Sequence, residues 1–150
     1  MKINITKKEY VVLMDMLEMV GWVLFGFSYD ENPGEKKRYR DFEQKIYGFA
    51  KEMGADHLVM YENDPERYFP TQEYDDNSPV MDYMKAYNEE SFWDELIERF
   101  SLIKLIRKEG ESKVMKMSPL DRYEKQDSFR IALSKEFETN GLSNLDIISR

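Results

Sequence analysis

Residues 6–25, Thr6-Lys7-Lys8-Glu9-Tyr10-Val11-Val12-Leu13-Met14-Asp15-Met16-Leu17-Glu18-Met19-Val20-Gly21-Trp22-Val23-Leu24-Phe25, decide the fold class. Thr6 to Glu9 has the S/T-x-x-E form of a capping box, in which a hydroxyl and a carboxylate each satisfy an orphan backbone donor at a helix start. Tyr10, Leu13, Leu17, Val20 and Leu24 then recur at three- and four-residue steps, the spacing of one helical face. Met14, Met16, Val23 and Phe25 widen that face until the second half is apolar nearly all round, which predicts a central, buried helix. Gly21 and Gly26 cost about 1 kcal/mol each relative to alanine, a cost offset if another helix approaches the backbone there. Asp30-Glu31-Asn32-Pro33-Gly34 is expected to end the helix.

Outward from this helix, Tyr39, Phe42, Ile46, Phe49 and Met53 mark a second one, packed antiparallel and closed by Gly54. The helical pattern lapses over 55–78, where His57 to Tyr61 reads as a short strand and the remainder as a long acidic loop. Ser78-Pro79 opens a short helix, and Asn88 is expected to cap another that carries Phe92, Trp93, Leu96, Phe100 and Ile103 and closes at Gly110. After a polar connector, Ser118-Pro119 starts a broken helix or two short ones ending at Gly141, with Leu142 as the hydrophobic partner of that cap. Leu145-Asp146-Ile147-Ile148 is expected to pair with Ile3-Asn4-Ile5. The fold expected is therefore mainly α, a compact bundle of about five helices with a short two-stranded β pairing, in one domain.

The chain of 150 residues is 41% hydrophobic and 14% aromatic, enough to bury a core and too much for disorder. Ten Met residues beside seven Gly and five Pro favour a helical core over a turn-rich sheet. The absence of Cys removes disulfides, thiolate catalysis and sulfur-based zinc sites, and fits a cytoplasmic protein. No signal peptide is visible at the start. The longest charge-free apolar run, Met19 to Tyr29, is eleven residues, against about 20 for a spanning helix.

Motifs that carry chemistry are sparse. His57 is the only imidazole, so neither a catalytic triad with a second His nor a His-rich metal set can be assembled. Neither G-x-S-x-G, G-x-x-x-x-G-K-[ST] nor G-x-G-x-x-G occurs. Glu62, Asp64 and Glu66 alternate as an EF-hand loop begins but lack its glycine, and Glu73, Asp75 and Asp76 are adjacent loop carboxylates that usually face water. No cofactor and no resident metal are expected. Glu95 and Arg99 are spaced for an ordinary surface ion pair.

Charge is the informative departure. The net charge is −8, and residues 52–95 hold thirteen acidic against two basic side chains, so the rest of the chain is net positive. An acidic chain with a pI near 4.8 is a poor binder of nucleic acid or anionic membrane. The acidic segment also carries aromatics, and an aromatic anchor among carboxylates suits a basic protein partner. Tyr68, Phe69, Tyr74, Asp75 and Asp76 are the candidate partner-binding residues. The stretch Tyr87-Asn88-Glu89-Glu90-Ser91-Phe92-Trp93-Asp94-Glu95-Leu96-Ile97-Glu98-Arg99, together with Lys135-Glu136-Phe137-Glu138-Thr139-Asn140-Gly141, resembles small acidic bacterial proteins of a family without assigned activity. That resemblance implies a bacterial origin and no particular chemistry.

The first expectation for function is a non-enzymatic cytoplasmic binding protein that recognises a basic protein through the acidic, aromatic loop and adjacent helix. The alternative is a small enzyme or small-molecule binder with a carboxylate-lined cleft between the loop and the helices, using His57 or carboxylates of the loop, with or without a divalent cation. A third is a structural protein that self-associates as a homodimer. A pocket with convergent Asp or Glu favours the second, and a flat aromatic patch the third.

Overall fold

In the computed structural model, which describes residues 4–26 and 33–146, the Thr6 hydroxyl accepts from the Glu9 N–H at 3.3 Å and the Glu9 carboxylate from the Thr6 N–H at 2.7 Å. This capping box starts α1 (Lys7–Phe25). There follow α2 (Pro33–Tyr47), a 3₁₀ turn (Asp56–Leu58), β1 (Val59–Asn63), β2 (Glu66–Pro70), α3 (Gln72–Asn77), α4 (Val80–Glu109), α5 (Glu111–Met115) and α6 (Pro119–Asn140). The chain is mainly helical, as expected, with one antiparallel β-hairpin among the described residues, and it gathers into two compact units, Met1–Lys85 and Ala86–Arg150.

The first unit is built on α1 and α2. Tyr10 donates its hydroxyl to the Ile46 carbonyl at 2.9 Å, Gly21 faces Glu43, and Phe25 lies under the Arg40 guanidinium. Rising positions on α1 therefore meet falling positions on α2, and the two helices are antiparallel. Tyr10, Met14, Tyr47, Ala50, Ala55 and Tyr74 form the buried core. The expectation that α1 is buried all round is corrected, because Val12, Met16, Val20 and Val23 are 43–59% exposed. An apolar pattern reports which faces tolerate burial, whereas the neighbours on α2 and α3 cover only the side that carries Tyr10 and Met14. The α2 helix stops at Tyr47 rather than running to Gly54, and two turns separate them. Gly54 still takes the positive φ, +63°, that the change of direction needs.

The segment read as a long loop is ordered secondary structure. Its β-hairpin pairs Met60 with Phe69, Tyr61 with Tyr68 and Glu62 with Arg67 across a turn at Asp64-Pro65. Tyr61 and Tyr68 meet edge to face, 4.9 Å between centroids. The expected strand at His57–Tyr61 is displaced to Val59–Asn63, and its partner lies seven residues on. The pairing expected between the termini is not formed by Asn4, Ile5, Leu145 or Asp146, while Ile3, Ile147 and Ile148 lie outside the described residues, as do Asp30 to Asn32 of the expected turn. Prolines at 65 and 70 obscured the hairpin, since neither donates to a ladder. The hairpin is joined to α2 by one side chain: Gln44 accepts from the Tyr68 N–H at 2.7 Å and donates to the Tyr68 carbonyl at 3.0 Å.

The second unit uses most of α4 with α5 and α6. Asn88 caps nothing, because α4 runs unbroken through it. Asparagine in a helix interior costs only a few tenths of a kcal/mol, about 0.7 at most, which the apolar turns on either side override. The connector after Gly110 contains α5, whose Val114 is fully buried. Ser118 caps α6 by accepting from the Asp121 N–H at 3.1 Å, and α6 continues to Asn140 as one helix. Trp93 packs on Phe137, Glu98 bonds to Arg130 and Ser101 to Gln126, an order that makes α4 and α6 antiparallel. Buried Gln126 donates to Ser101 at 3.0 Å and to Glu98 at 3.2 Å, so its burial leaves no orphaned amide.

Gln44→Ala is expected to destabilise the first unit by about 1–3 kcal/mol, the cost of leaving the Tyr68 N–H and C=O unpaired. Amide exchange at Tyr68 is expected to accelerate while exchange in α6 is unchanged. Unaltered protection at Tyr68 would show that the hairpin holds without the clamp.

Candidate functional site

Within the uninterrupted apolar stretch from Tyr10 to Phe25 only two side chains are charged, Asp15 and Glu18. Both are put to structural use. Asp15 accepts from the Tyr74 hydroxyl at 2.7 Å and from the Ser78 hydroxyl at 2.8 Å, and Glu18 accepts from the hydroxyl of buried Tyr47. Asp15 is thereby spent on tying α3 and the start of α4 to α1. Both Asp15 bonds fall on one oxygen, so each acid keeps an oxygen without a donor among the described residues, but of the two only Glu18 lines a cleft.

That cleft lies in the first unit, between α1, α2 and β2, with a volume of about 430 Å³. Its walls include Glu18, Trp22, Arg40, Glu43, Arg67 and Phe69. Gly21 lets α2 come close: an added Cβ there would stand 3.5 Å from Glu43 Oε1, so the Glu43 carboxylate rests against the α1 backbone. The other Glu43 oxygen has only a long contact, 3.5 Å, from the Gln44 amide. Burial raises Glu18 above the usual carboxylate range, the Tyr47 hydrogen bond opposes the rise, and the charges of Glu43 and Asp75 add to it. Burial likewise raises Glu43 against the lowering effects of Gln44, Arg40 and Arg67. Tyr47, beneath Glu18, is pushed far above the ordinary phenol value by burial and by that carboxylate, so its hydroxyl stays a donor.

Two guanidiniums line the same cleft. Arg40 stacks on Phe25 with its Cζ 4.1 Å from the ring centroid, and Arg67 stands 6.0 Å from the centroid of Phe69. Neither is hydrogen-bonded or ion-paired to any described residue. Carboxylates and guanidiniums thus share one cavity without neutralising each other directly.

The residues picked from the sequence are distributed unevenly around it. Phe69 lines the cleft, and Tyr68 also borders it while packing on the core. Tyr74 is 3% exposed and belongs to the core, with its hydroxyl committed to Asp15, so it is not available as a surface anchor. Asp75 and Asp76 are exposed on α3, outside the cleft wall. His57 lies at the surface, 4.0 Å from Glu73. Among the described residues no group of three or more His, Asp or Glu side chains is placed to hold a metal ion, and neither the carboxylates at 62, 64 and 66 nor those at 73, 75 and 76 form one. Glu18, Arg40, Glu43 and Arg67 went unnoticed in the sequence. The available signal was Glu18 itself, a carboxylate in an apolar helix with no basic residue three or four positions away.

A larger cleft of about 810 Å³ lies in the second unit, bordered by Phe100, Ile103, Lys104, Leu133 and Glu136. On its wall Glu136 accepts from Asn140 at 2.9 Å and from Asn144 at 2.6 Å, both on one oxygen, and these bonds hold it below the usual carboxylate range. The first-unit cleft differs in bringing together two carboxylates raised above the usual range, Glu18 and Glu43, with two guanidiniums. No helix among the described residues is long and apolar enough to cross a membrane. Comparison of the chain with protein-family models, curated proteins and solved structures finds no match.

Two outcomes follow from this geometry. A carboxyl with a raised folded pKa binds more protons folded than unfolded, so its contribution to stability is complete below the ordinary value of 4.5 and is lost as pH rises through the folded value. Glu43→Gln removes that loss: its melting temperature is expected to meet the wild type's in acid and to exceed it at neutral pH, and parallel curves would contradict the assignment. Tyr74→Ala is expected to cost about 3–5 kcal/mol in chemical denaturation, as for a large core side chain, whereas a surface anchor would cost about 0.5 or less.

Proposed function

We propose that the protein is a small-molecule-binding module whose first unit receives an organic cation in the cleft between α1, α2 and β2. The observation that carries this reading is the convergence of Glu18 and Glu43, each with an oxygen unclaimed by a protein donor, in a cavity walled by Trp22 and Phe69. Half-buried carboxylates are costly to ionise without a partner, and a bound ammonium supplies that partner with charge-assisted hydrogen bonds. Aromatic walls add buried area and attract a cation to their faces. A volume of about 430 Å³ is within the range of ordinary ligand sites.

The reading of an acidic surface for a basic protein keeps Asp75 and Asp76 as exposed charges but loses Tyr74 as an anchor, which leaves it with less support than the cleft. The cleft reading requires no metal and no covalent chemistry, and its polar groups are arranged to hold rather than to attack.

Titration calorimetry with phenethylamine is the direct test. Saturable binding is expected, weakened at least tenfold by Glu18→Gln or Glu43→Gln and unchanged by Asp76→Asn. Far-ultraviolet dichroism of each variant checks that the fold is retained. Absence of binding by folded wild-type protein, or equal binding by the cleft variants, would overturn the proposal.

A further inference from the structure

The same cleft contains a second, oppositely charged half that an organic cation alone leaves unused. Arg40 and Arg67 line it, and neither forms a hydrogen bond or ion pair with a described residue. Both are close enough to Glu43 for their charges to be felt there, yet no bond joins them to it. Guanidinium and carboxylate in one half-buried cavity ordinarily collapse into a bidentate pair. Here Arg40 instead lies over the Phe25 ring, its Cζ 4.1 Å from the centroid, and Arg67 is carried by β2 with its Cζ 6.0 Å from the Phe69 centroid and opposite Glu62 in the hairpin register. Two guanidiniums and two carboxylates therefore line one cleft with no hydrogen bond or ion pair between them among the described residues.

We infer that the ligand is a zwitterion: its ammonium is received by Glu18 and Glu43, its carboxylate by Arg40 and Arg67, and its apolar body by Trp22 and Phe69. This rests on the cation-binding reading of the cleft and specifies the other end of the molecule. The arrangement has a selective consequence. A simple amine leaves the guanidiniums facing each other without an anion, and a simple carboxylate leaves the two glutamates in the same position, so each half-ligand meets one satisfied and one repulsive end. A molecule with both charges neutralises the site completely. Its apolar body is matched to the aromatic walls at Trp22 and Phe69, which favours a free amino acid with a large apolar side chain.

The test uses three probes that share a phenyl ring and chain length, titrated into the full chain: phenylalanine, phenethylamine and 3-phenylpropionate. Phenylalanine is expected to bind at least tenfold more tightly than either of the others. Arg40→Gln and Arg67→Gln, made separately so that one folded variant suffices, are expected to abolish the preference for phenylalanine, while phenethylamine binds as well as before or more tightly because a repulsive charge is removed. Equal affinity for phenethylamine and phenylalanine, or a preference for phenylalanine that survives both arginine variants, overturns the zwitterion assignment and leaves the cation site standing. Failure of phenethylamine and phenylalanine alike overturns both.

Discussion

The carboxamide of Gln44 sets the geometry on which the first unit depends. A glutamine side chain presents one acceptor and one donor at the spacing of a peptide group, and Gln44 uses both on the backbone of Tyr68. The strand edge of β2 that would otherwise be open is thereby finished by a helix side chain instead of a third strand. Fixing Tyr68 also fixes its sequence neighbours, so Arg67 and Phe69 are delivered to the wall that faces α1. The cleft is a by-product of this joint: α2 contributes Glu43 and Arg40 from the turns next to Gln44, and α1 contributes Glu18 and Trp22 from the face opposite.

Beneath the cleft, three tyrosines replace what a larger core would do with aliphatic packing. Tyr10, Tyr47 and Tyr74 are each almost fully buried, and each hydroxyl finds an acceptor, respectively the Ile46 carbonyl, Glu18 and Asp15. Buried phenols supply large apolar area while requiring a partner for the hydroxyl. Asp15 and Glu18 of α1 serve as two of those partners, which explains why charged residues interrupt an otherwise apolar stretch. Burial drives Tyr10 up to about 12, and Tyr47 and Tyr74 further still, so all three remain neutral donors over the physiological range.

Local chemistry was legible where the deciding atoms are neighbours in sequence. The Thr6–Glu9 box, the Ser118 cap and the glycines that close α4 and α6 all act within four residues, and each is found in place. Legibility failed where distant atoms decide. The hairpin depends on Gln44 reaching Tyr68 from α2, and a proline-bearing acidic segment gives no hint of that help. Asn88 was given a capping role its chemistry permits, but α4 runs through it as continuous helix. Tyr74 and Phe69 looked alike as aromatics of an acidic segment, yet Asp15 draws one into the core while the other is left on a cavity wall. The candidate site was legible only as an oddity, one unpaired glutamate in an apolar helix; its partners on α2 and β2 come from positions that look like ordinary surface charges.

The two tryptophans of the chain fall one in each unit, Trp22 on the wall of the cleft and Trp93 against Phe137 with its indole N–H donated to Glu89 at 2.8 Å. Indole emission responds to the polarity and charges around the ring, so each unit carries its own optical reporter. With Trp93 replaced by phenylalanine, the remaining fluorescence would come from the cleft wall alone. Occupancy of the cavity could then be followed in solution, without a label, on the native first unit.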